Sequence, residues 1–191
     1  VADPRPVLEV MDRQVHHMVR LVDDLLELSR ITRGTVELRP EHVELATVFA
    51  AARDTSRPLV DAGGHELRVR LPAQPVWLDA DPVRLAQVLS NLLNNAARYT
   101  DPGGHILMEA RTEGGQAVIT VTDDGMGLTR EALAGVFDMF SQADVRDIRA
   151  QHGLGIGLAL VRNLVEQHGG TVSAASAGSG RGSVFTVRLP L

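Results

Sequence analysis

Apolar positions recur with two different periods along the chain, and the changes of period predict its elements. Within residues 7–29 apolar side chains lie three and four apart, which predicts one long amphipathic helix of about three heptads, at Leu8, Met11, Val15, Met18, Val22 and Leu25. A lone helix of this kind cannot bury its stripe unaided. Pairing with another chain is favoured over packing on its own domain, because no second such helix follows.

The remaining residues alternate helical periods with pairs of strands. Helical spacing predicts helices over 44–62, 81–98 and 156–168, and Pro58 is expected to kink or divide the first. Period-two alternation bounded by glycine turns predicts strands over 66–71, 76–79, 106–111, 117–122, 171–177 and 183–189. Residues 129–151 are polar and weakly periodic, which indicates a mobile segment. This order predicts an α+β fold, with helices layered on one face of a mostly antiparallel sheet.

The composition removes several classes of function. A net charge of −5 gives no electrostatic reason to expect a nucleic-acid partner or contact with an anionic membrane. The chain has no cysteine, which excludes thiol catalysis and disulfides and fits a reducing, cytoplasmic compartment. No apolar run approaches the roughly 20 residues of a membrane span. The glycines are more informative, because they cluster at 103–104, 125–127, 153–157 and 178–182.

The helix predicted over 81–98 carries a polar stripe beside its apolar one. Asp81 is placed to cap this helix, and Pro82 occupies a position where a missing N–H costs nothing. Amide oxygens suit Mg²⁺, which takes few protein ligands beside phosphate oxygens, and arginine pairs with phosphate. The stripe consists of Gln87, Asn91, Asn95 and Arg98. The alternative is a merely solvated polar face.

Two glycine-containing segments add candidate chemistry. Asp123 ends a buried strand, where an ionised carboxylate can accept a hydrogen bond from an exocyclic amine, and glycines two and four residues later leave room for a flat base. Calcium loops and plain turns share that pattern. The run from Gly153 to Gly157 opens a helix, whose free N–H groups suit phosphate, although neither a Walker nor a Rossmann context surrounds it. A plain loop is the alternative there.

Taken together, the three segments resemble those of the GHKL superfamily, and its histidine-kinase branch most closely. Residues 81–100 (DPVRLAQVLSNLLNNAARYT) are similar to the N box, 123–127 (DDGMG) to the first glycine box, 136–140 (VFDMF) to the F box and 153–158 (GLGIGL) to the second glycine box. Residues 178–191 resemble the usual end of such domains. Residues 13–34 resemble the second helix of the dimerisation and phosphotransfer domain.

The resemblance implies a fold, a division of the chain and two cofactors, ATP and Mg²⁺. The fold is the Bergerat-type two-layer α/β sandwich, three helices over a mixed sheet, preceded by the long amphipathic helix. By this resemblance, residues 1–34 correspond to part of a dimerisation domain, and residues 35–191 correspond to the catalytic ATP-binding domain. Residues 138–152 become the lid over ATP, with Phe137 and Phe140 anchoring its base.

The same resemblance implies roles for individual residues, of which none is catalytic in the sense of acid, base or nucleophile. By this resemblance, Asn95 is the Mg²⁺ ligand, and Asn91 and Arg98 face the phosphates. Tyr99 lies near the nucleotide and Asp123 reads the adenine amine. The glycine boxes supply the other nucleotide-binding residues, Gly125, Gly127, Gly153, Leu154, Gly155, Gly157 and Leu158.

Asn91 discriminates between branches of the superfamily. ATP-hydrolysing members carry a glutamate one turn before the magnesium asparagine, as general base for water, whereas an asparagine cannot abstract a proton at neutral pH. Transfer of the γ-phosphoryl group to another acceptor is therefore favoured. A GHKL-type ATPase or serine kinase, and a catalytically silent dimerisation module, are the alternatives.

None of the seven histidines has the acidic and proline context of the family's phosphoacceptor. The acceptor-histidine segment is therefore expected outside these residues, and the chain alone is not expected to autophosphorylate. The resemblance implies a homodimer formed through residues 7–29 and a response-regulator receiver domain as the next partner.

Overall fold

The computed structural model describes residues 37–139 and 155–191, together with Met11 and Val15. The chain divides into two compact units, Val1–Glu37 and Leu38–Leu191. In the first unit Met11 and Val15 are helical and exposed. The rest of the helix predicted over 7–29 lies outside the described residues.

The second unit is an α+β fold built on a mixed sheet. Its elements, in chain order, are β1 (Glu41–Glu44), α1 (Leu45–Ala62), β2 (Glu66–Arg70), β3 (Trp77–Ala80), α2 (Pro82–Tyr99), β4 (His105–Glu113), β5 (Gln116–Asp123), α3 (Arg130–Ala134), α4 (Gly157–Gln167), β6 (Thr171–Ala175) and β7 (Ser183–Pro190). Five strands pair in the order β2-β4-β5-β7-β6, where β2 and β4 are parallel and the other neighbours antiparallel. The predicted class and sheet are confirmed.

One face of this sheet is buried beneath the helices. Helix α2 lies at the centre, in contact with α1, α4, β4 and β5. The predicted apolar stripe of α2 is fully buried at Leu85, Val88, Leu92 and Ala96, whereas Tyr99 at its end is only partly buried. Burial alternates along β7, but β5 is buried continuously from Ala117 to Val121. The core also includes Phe185 and Val187. Because burying one such side chain contributes about 1.5–3 kcal/mol, α2 is firmly held and is a rigid support for its polar face.

Three local details differ from the predicted elements or add to them. Residues 41–44 form strand β1, which pairs antiparallel with β3 as a separate ribbon and which the pattern did not indicate. Pro58 does not divide its helix, since α1 runs unbroken from Leu45 to Ala62. The polar segment after residue 129 begins with α3, where the Thr129 side chain accepts a hydrogen bond from the Ala132 N–H at 3.2 Å.

Asp81 fixes the start of α2 as predicted. Its Oδ1 accepts hydrogen bonds from the N–H groups of Val83 and Arg84, both at 3.1 Å. Its Oδ2 accepts a third from the Arg39 N–H at 3.0 Å. The Asp81 N–H in turn donates to His168 Nε2 at 3.1 Å, so the beginning of α2 is joined to the end of α4. Within residues 37–139 and 155–191 no helix combines the length and apolar character of a membrane span.

We expect Asp81 to make folding stability sensitive to acid. Burial raises the pKa of Asp81, but the hydrogen bonds from Arg39, Arg84 and Val83 outweigh burial and hold the pKa below its ordinary value. The stabilisation is therefore complete above the unfolded pKa of about 4 and is lost as the pH falls through the folded pKa. Urea unfolding should show Asp81→Ala less stable by about 1–2 kcal/mol at neutral pH.

Asp81→Asn keeps the acceptor oxygen but cannot titrate, so the difference in stability between the parent and this variant should shrink in acid. Asp54→Asn, which removes the same charge from an exposed position of α1, is the matched control. An Asp81→Asn variant whose acid dependence equals that of the parent would contradict this role.

Candidate nucleotide-binding site

Asp123 lies at the end of β5, 7% exposed, and its carboxylate is almost fully engaged. Oδ1 accepts hydrogen bonds from the N–H groups of Gly125 at 3.0 Å and Ser183 at 3.3 Å. Oδ2 accepts the Ser183 hydroxyl at 2.5 Å. An ionised carboxylate offers about four acceptor positions. The protein uses three, so one remains for a donor such as an exocyclic amine.

The first glycine box lies tightly against the end of α2. The Met126 N–H donates to the Tyr99 carbonyl at 2.9 Å. A Cβ on Gly125 would lie 2.2 Å from the same carbonyl oxygen, closer than any side chain permits. Only glycine therefore lets the loop approach α2 this closely, which joins Asp123 to the helix that carries the amide stripe.

The opposite side of this loop contacts the residues between β6 and β7. Gly182 donates to the Gly125 carbonyl at 3.0 Å, and Gly180 donates to the Met126 carbonyl at 2.6 Å. Gly127 has φ +65°, and a Cβ on it would lie 2.2 Å from the Gly178 carbonyl oxygen. Residues 178–182 thus form a wall of the site.

A serine ties this wall to the glycine box. The Ser176 hydroxyl accepts the Leu128 N–H at 3.0 Å and donates to the Gly182 carbonyl at 2.7 Å. Ser176, Gly182 and Ser183 were not predicted as site residues. The cluster of glycines at 178–182 was the available signal, but its contacts run through backbone atoms.

The polar residues of α2 share one face, as their spacing predicts. Asn91, Asn95 and Tyr99 are partly buried along it, and Arg98 is exposed. In the described ranges no three His, Cys, Asp or Glu side chains gather as a metal site. The amides of Asn91 and Asn95 are neutral oxygen donors, a set that fits a Mg²⁺ ion sharing its coordination with phosphate oxygens. An ion held mainly by protein carboxylates does not fit this face.

The second glycine box is described from Gly155 onward, while Gly153 and Leu154 lie outside the described residues. Gly155 has φ +67°. Gly157 begins α4, and a Cβ on it would meet no atom within 4 Å. Leu158 is partly buried, and no side chain caps the start of α4. The first N–H groups of this helix therefore remain suited to an anionic ligand.

The predicted lid is described only at Asp138 and Met139, and Phe140 lies outside the described residues. Phe137 packs edge-on against Phe185 of β7, with ring centroids 6.2 Å apart and planes at 87°. Phe185 is fully buried in the core. The residue predicted to anchor the lid is thus packed on the sheet.

Residues 80–191 match the family described as Histidine kinase-, DNA gyrase B-, and HSP90-like ATPase. The chain belongs to this family. The match covers α2, both described glycine-box segments and the wall at 178–182, and it confirms the predicted GHKL-type ATP-binding fold.

Similar proteins within this family place the chain in the histidine-kinase branch. It is 34% identical over 188 residues to the circadian input-output histidine kinase CikA of Synechococcus elongatus, covering 97% of this chain and 25% of that protein. Full-length ShkA in complex with AMPPNP is 27% identical with a TM-score of 0.81, covering 100% of this chain and 39% of ShkA. The Acinetobacter baumannii histidine kinase AdeS superposes with a TM-score of 0.80 at 23% identity, covering 100% and 86%, and shows the shared fold. The chain thus spans about a quarter of the curated relative's length, as a catalytic ATP-binding domain of histidine-kinase type.

Proposed function

We propose that this domain binds Mg²⁺-ATP and donates the γ-phosphoryl group to a histidine nitrogen of a dimerisation domain, for relay to a response regulator. The observation that carries the proposal is Asn91, which lies partly buried one turn before Asn95 on the face of α2. No proton-accepting carboxylate stands at this position, so activation of water is disfavoured. The likeness to CikA, named a histidine kinase, supports the same conclusion.

Each part of the site has a distinct task in this proposal. Asp123 accepts the adenine amine at its remaining acceptor position, and Gly125 and Gly127 leave space for the base. Asn95 holds Mg²⁺ through its amide oxygen, with Asn91 and Arg98 oriented toward the phosphates and Tyr99 beside the nucleotide. The ion, when bound, neutralises charge on the phosphate oxygens.

The second glycine box holds the phosphates through backbone atoms. The first N–H groups of α4, around Gly157 and Leu158, point at the phosphates, and Gly153, Leu154 and Gly155 belong to the same cradle and the lid hinge. Phosphoryl transfer needs little covalent chemistry from the protein, since positioning and charge neutralisation supply most of the catalysis. This accounts for a site that has no assigned acid, base or nucleophile.

The partners in this proposal belong to the whole protein. The helix predicted over 7–29 pairs two copies in this proposal. A dimerisation segment presents the acceptor histidine, and a receiver domain takes the phosphoryl group. The complex of ShkA with AMPPNP supports nucleotide binding by such domains.

A transfer assay with γ-labelled ATP tests the proposed reaction. Residues 1–191 alone should remain unlabelled, and addition of a dimerisation domain carrying the acceptor histidine should give acid-labile label on that domain. Asn91→Glu should divert label toward inorganic phosphate, whereas Asn91→Gln should not. Label on residues 1–191 alone, acid-stable label on serine, or phosphate release as the main parent reaction would each overturn the proposal.

A further inference from the structure

His105 and Asp124 are joined by hydrogen bonds in both directions, where the first glycine box (123–127) meets the start of β4. The His105 N–H donates to Asp124 Oδ1 at 2.8 Å, and the ring Nδ1 lies 2.8 Å from Asp124 Oδ2. The Asp124 N–H donates back to the His105 carbonyl at 3.3 Å. Three contacts thus join the first residue of β4 to the residue directly after Asp123.

The two adjacent carboxylates consequently serve opposite sides of the loop. Asp123 faces Ser183 and Gly125, while Asp124 faces the start of β4. Gly104 allows the Asp124 carboxylate to lie close to the start of β4, because a Cβ on Gly104 would lie 2.7 Å from Asp124 Oδ1. With the loop held from both sides, the orientation of Asp123 depends on the His105–Asp124 pair as well as on Ser183.

The charge on His105 controls how many of its contacts are hydrogen bonds. The neutral ring has one N–H, which serves Asp124, whereas only the protonated ring has a second N–H for Glu66 Oε2 on β2, 3.4 Å from Nε2. Glu66 is also paired with Arg68 at 2.8 Å, and Asp101 lies in the turn that leads into β4. Burial raises the pKa of Asp124, but hydrogen bonds from the His105 backbone and ring outweigh burial and lower it.

We propose that His105 is a positioning residue for ATP, and that its protonated form, bound between Asp124 and Glu66, tightens nucleotide binding by fixing the loop that carries Asp123. The inference rests on the proposed nucleotide site. His105 and Asp124 are 63% and 51% exposed at the side chain, so water screens their attraction. We therefore expect an effect of about two- to fivefold on the Kd of ATP.

Calorimetric titration with Mg²⁺-ATP at about pH 5.5 and at about pH 8.5 tests the inference. The ratio of variant Kd to parent Kd cancels the titration of ATP itself. His105→Asn keeps a donor for Asp124 but no charge, so it should match the parent at high pH and bind about two- to fivefold more weakly at low pH. His105→Ala should bind more weakly at both pH values.

His42→Asn is the matched control. His42 and Asp79 form another exposed histidine–aspartate pair, at 3.0 Å, but on the ribbon of β1 and β3, which is separate from the five-stranded sheet that carries Asp123. This variant should keep the parent Kd at both pH values, and Asp124→Asn should lose the pH dependence as His105→Asn does.

The outcomes separate the inference from the proposed function. If the parent binds ATP and the ratio for His105→Asn is unchanged between the two pH values, or His42→Asn behaves in the same way, the role of His105 is overturned. A parent that binds no ATP at either pH would overturn the nucleotide site and this inference with it. Thermal unfolding of each variant confirms that the compared proteins are folded.

Discussion

Asp123→Asn is expected to weaken ATP binding by about 10- to 100-fold, the worth of one hydrogen bond to a charged group, without unfolding the domain. The asparagine oxygen can still accept the N–H groups of Gly125 and Ser183. Its amide nitrogen replaces Oδ2, where the Ser183 hydroxyl can rotate and accept instead of donating. The site then presents a donor where adenine requires an acceptor.

The measurement is a pair of titrations, with ATP and with inosine triphosphate, whose base carries a carbonyl in place of the amine. The parent should prefer ATP, and Asp123→Asn should lose that preference while its unfolding temperature stays near the parent's. Equal affinity of the parent for both nucleotides would show that Asp123 does not read the amine.

Gly125→Ala is expected to abolish ATP binding and to destabilise the domain by about 1–3 kcal/mol, the usual cost of overpacking. The new Cβ would lie 2.2 Å from the Tyr99 carbonyl oxygen and 2.9 Å from Thr100 Cα. Both are backbone atoms at the end of α2 and cannot rotate away. The loop must therefore separate from α2, which displaces Asp123.

Gly157→Ala is the matched control for this substitution. A Cβ there meets no atom within 4 Å, and alanine favours a helix over glycine by up to about 1 kcal/mol. Urea unfolding should therefore show this variant at least as stable as the parent, whereas Gly125→Ala unfolds earlier. A Gly125→Ala variant with parental stability and ATP affinity would contradict the close packing of the loop on α2.

Much of the fold could be predicted because its signals are local. The buried stripe of α2, its Asp81 cap and the two-residue turn at Gly114 and Gly115, both with positive φ, each arise from residues adjacent in sequence. Strand β1 escaped prediction because four residues, Glu41 to Glu44, gain their conformation from pairing with β3 more than 30 residues later. Pro58 does not divide α1, which packs on α2 along its length and runs through the proline without a break.

The residues of the candidate site can be predicted from the sequence where their side chains supply the chemistry. Where backbone atoms make the contacts, the sequence gives no comparable signal. Asp123, Asn91 and Asn95 stand out as polar residues in patterned positions. Ser183 reaches Asp123 across 60 residues of sequence, and Gly182 contributes an N–H that any residue possesses. Only glycine fits at position 182, because its φ is +65° and a Cβ there would lie 2.0 Å from the Asp123 carbonyl oxygen. A single sequence shows neither the backbone angle nor the close contact.

The central claim is that three distant segments form one Mg²⁺-ATP site on this domain. Calorimetric titration of residues 1–191 with ATP, with and without Mg²⁺, tests it most directly when repeated on Asn95→Ala and Asp123→Asn. We expect one ATP per chain, a loss of the Mg²⁺-dependent part of the affinity in Asn95→Ala, and weak binding in Asp123→Asn at either Mg²⁺ concentration. No binding by the parent, or parental affinity in both variants, would contradict the claim.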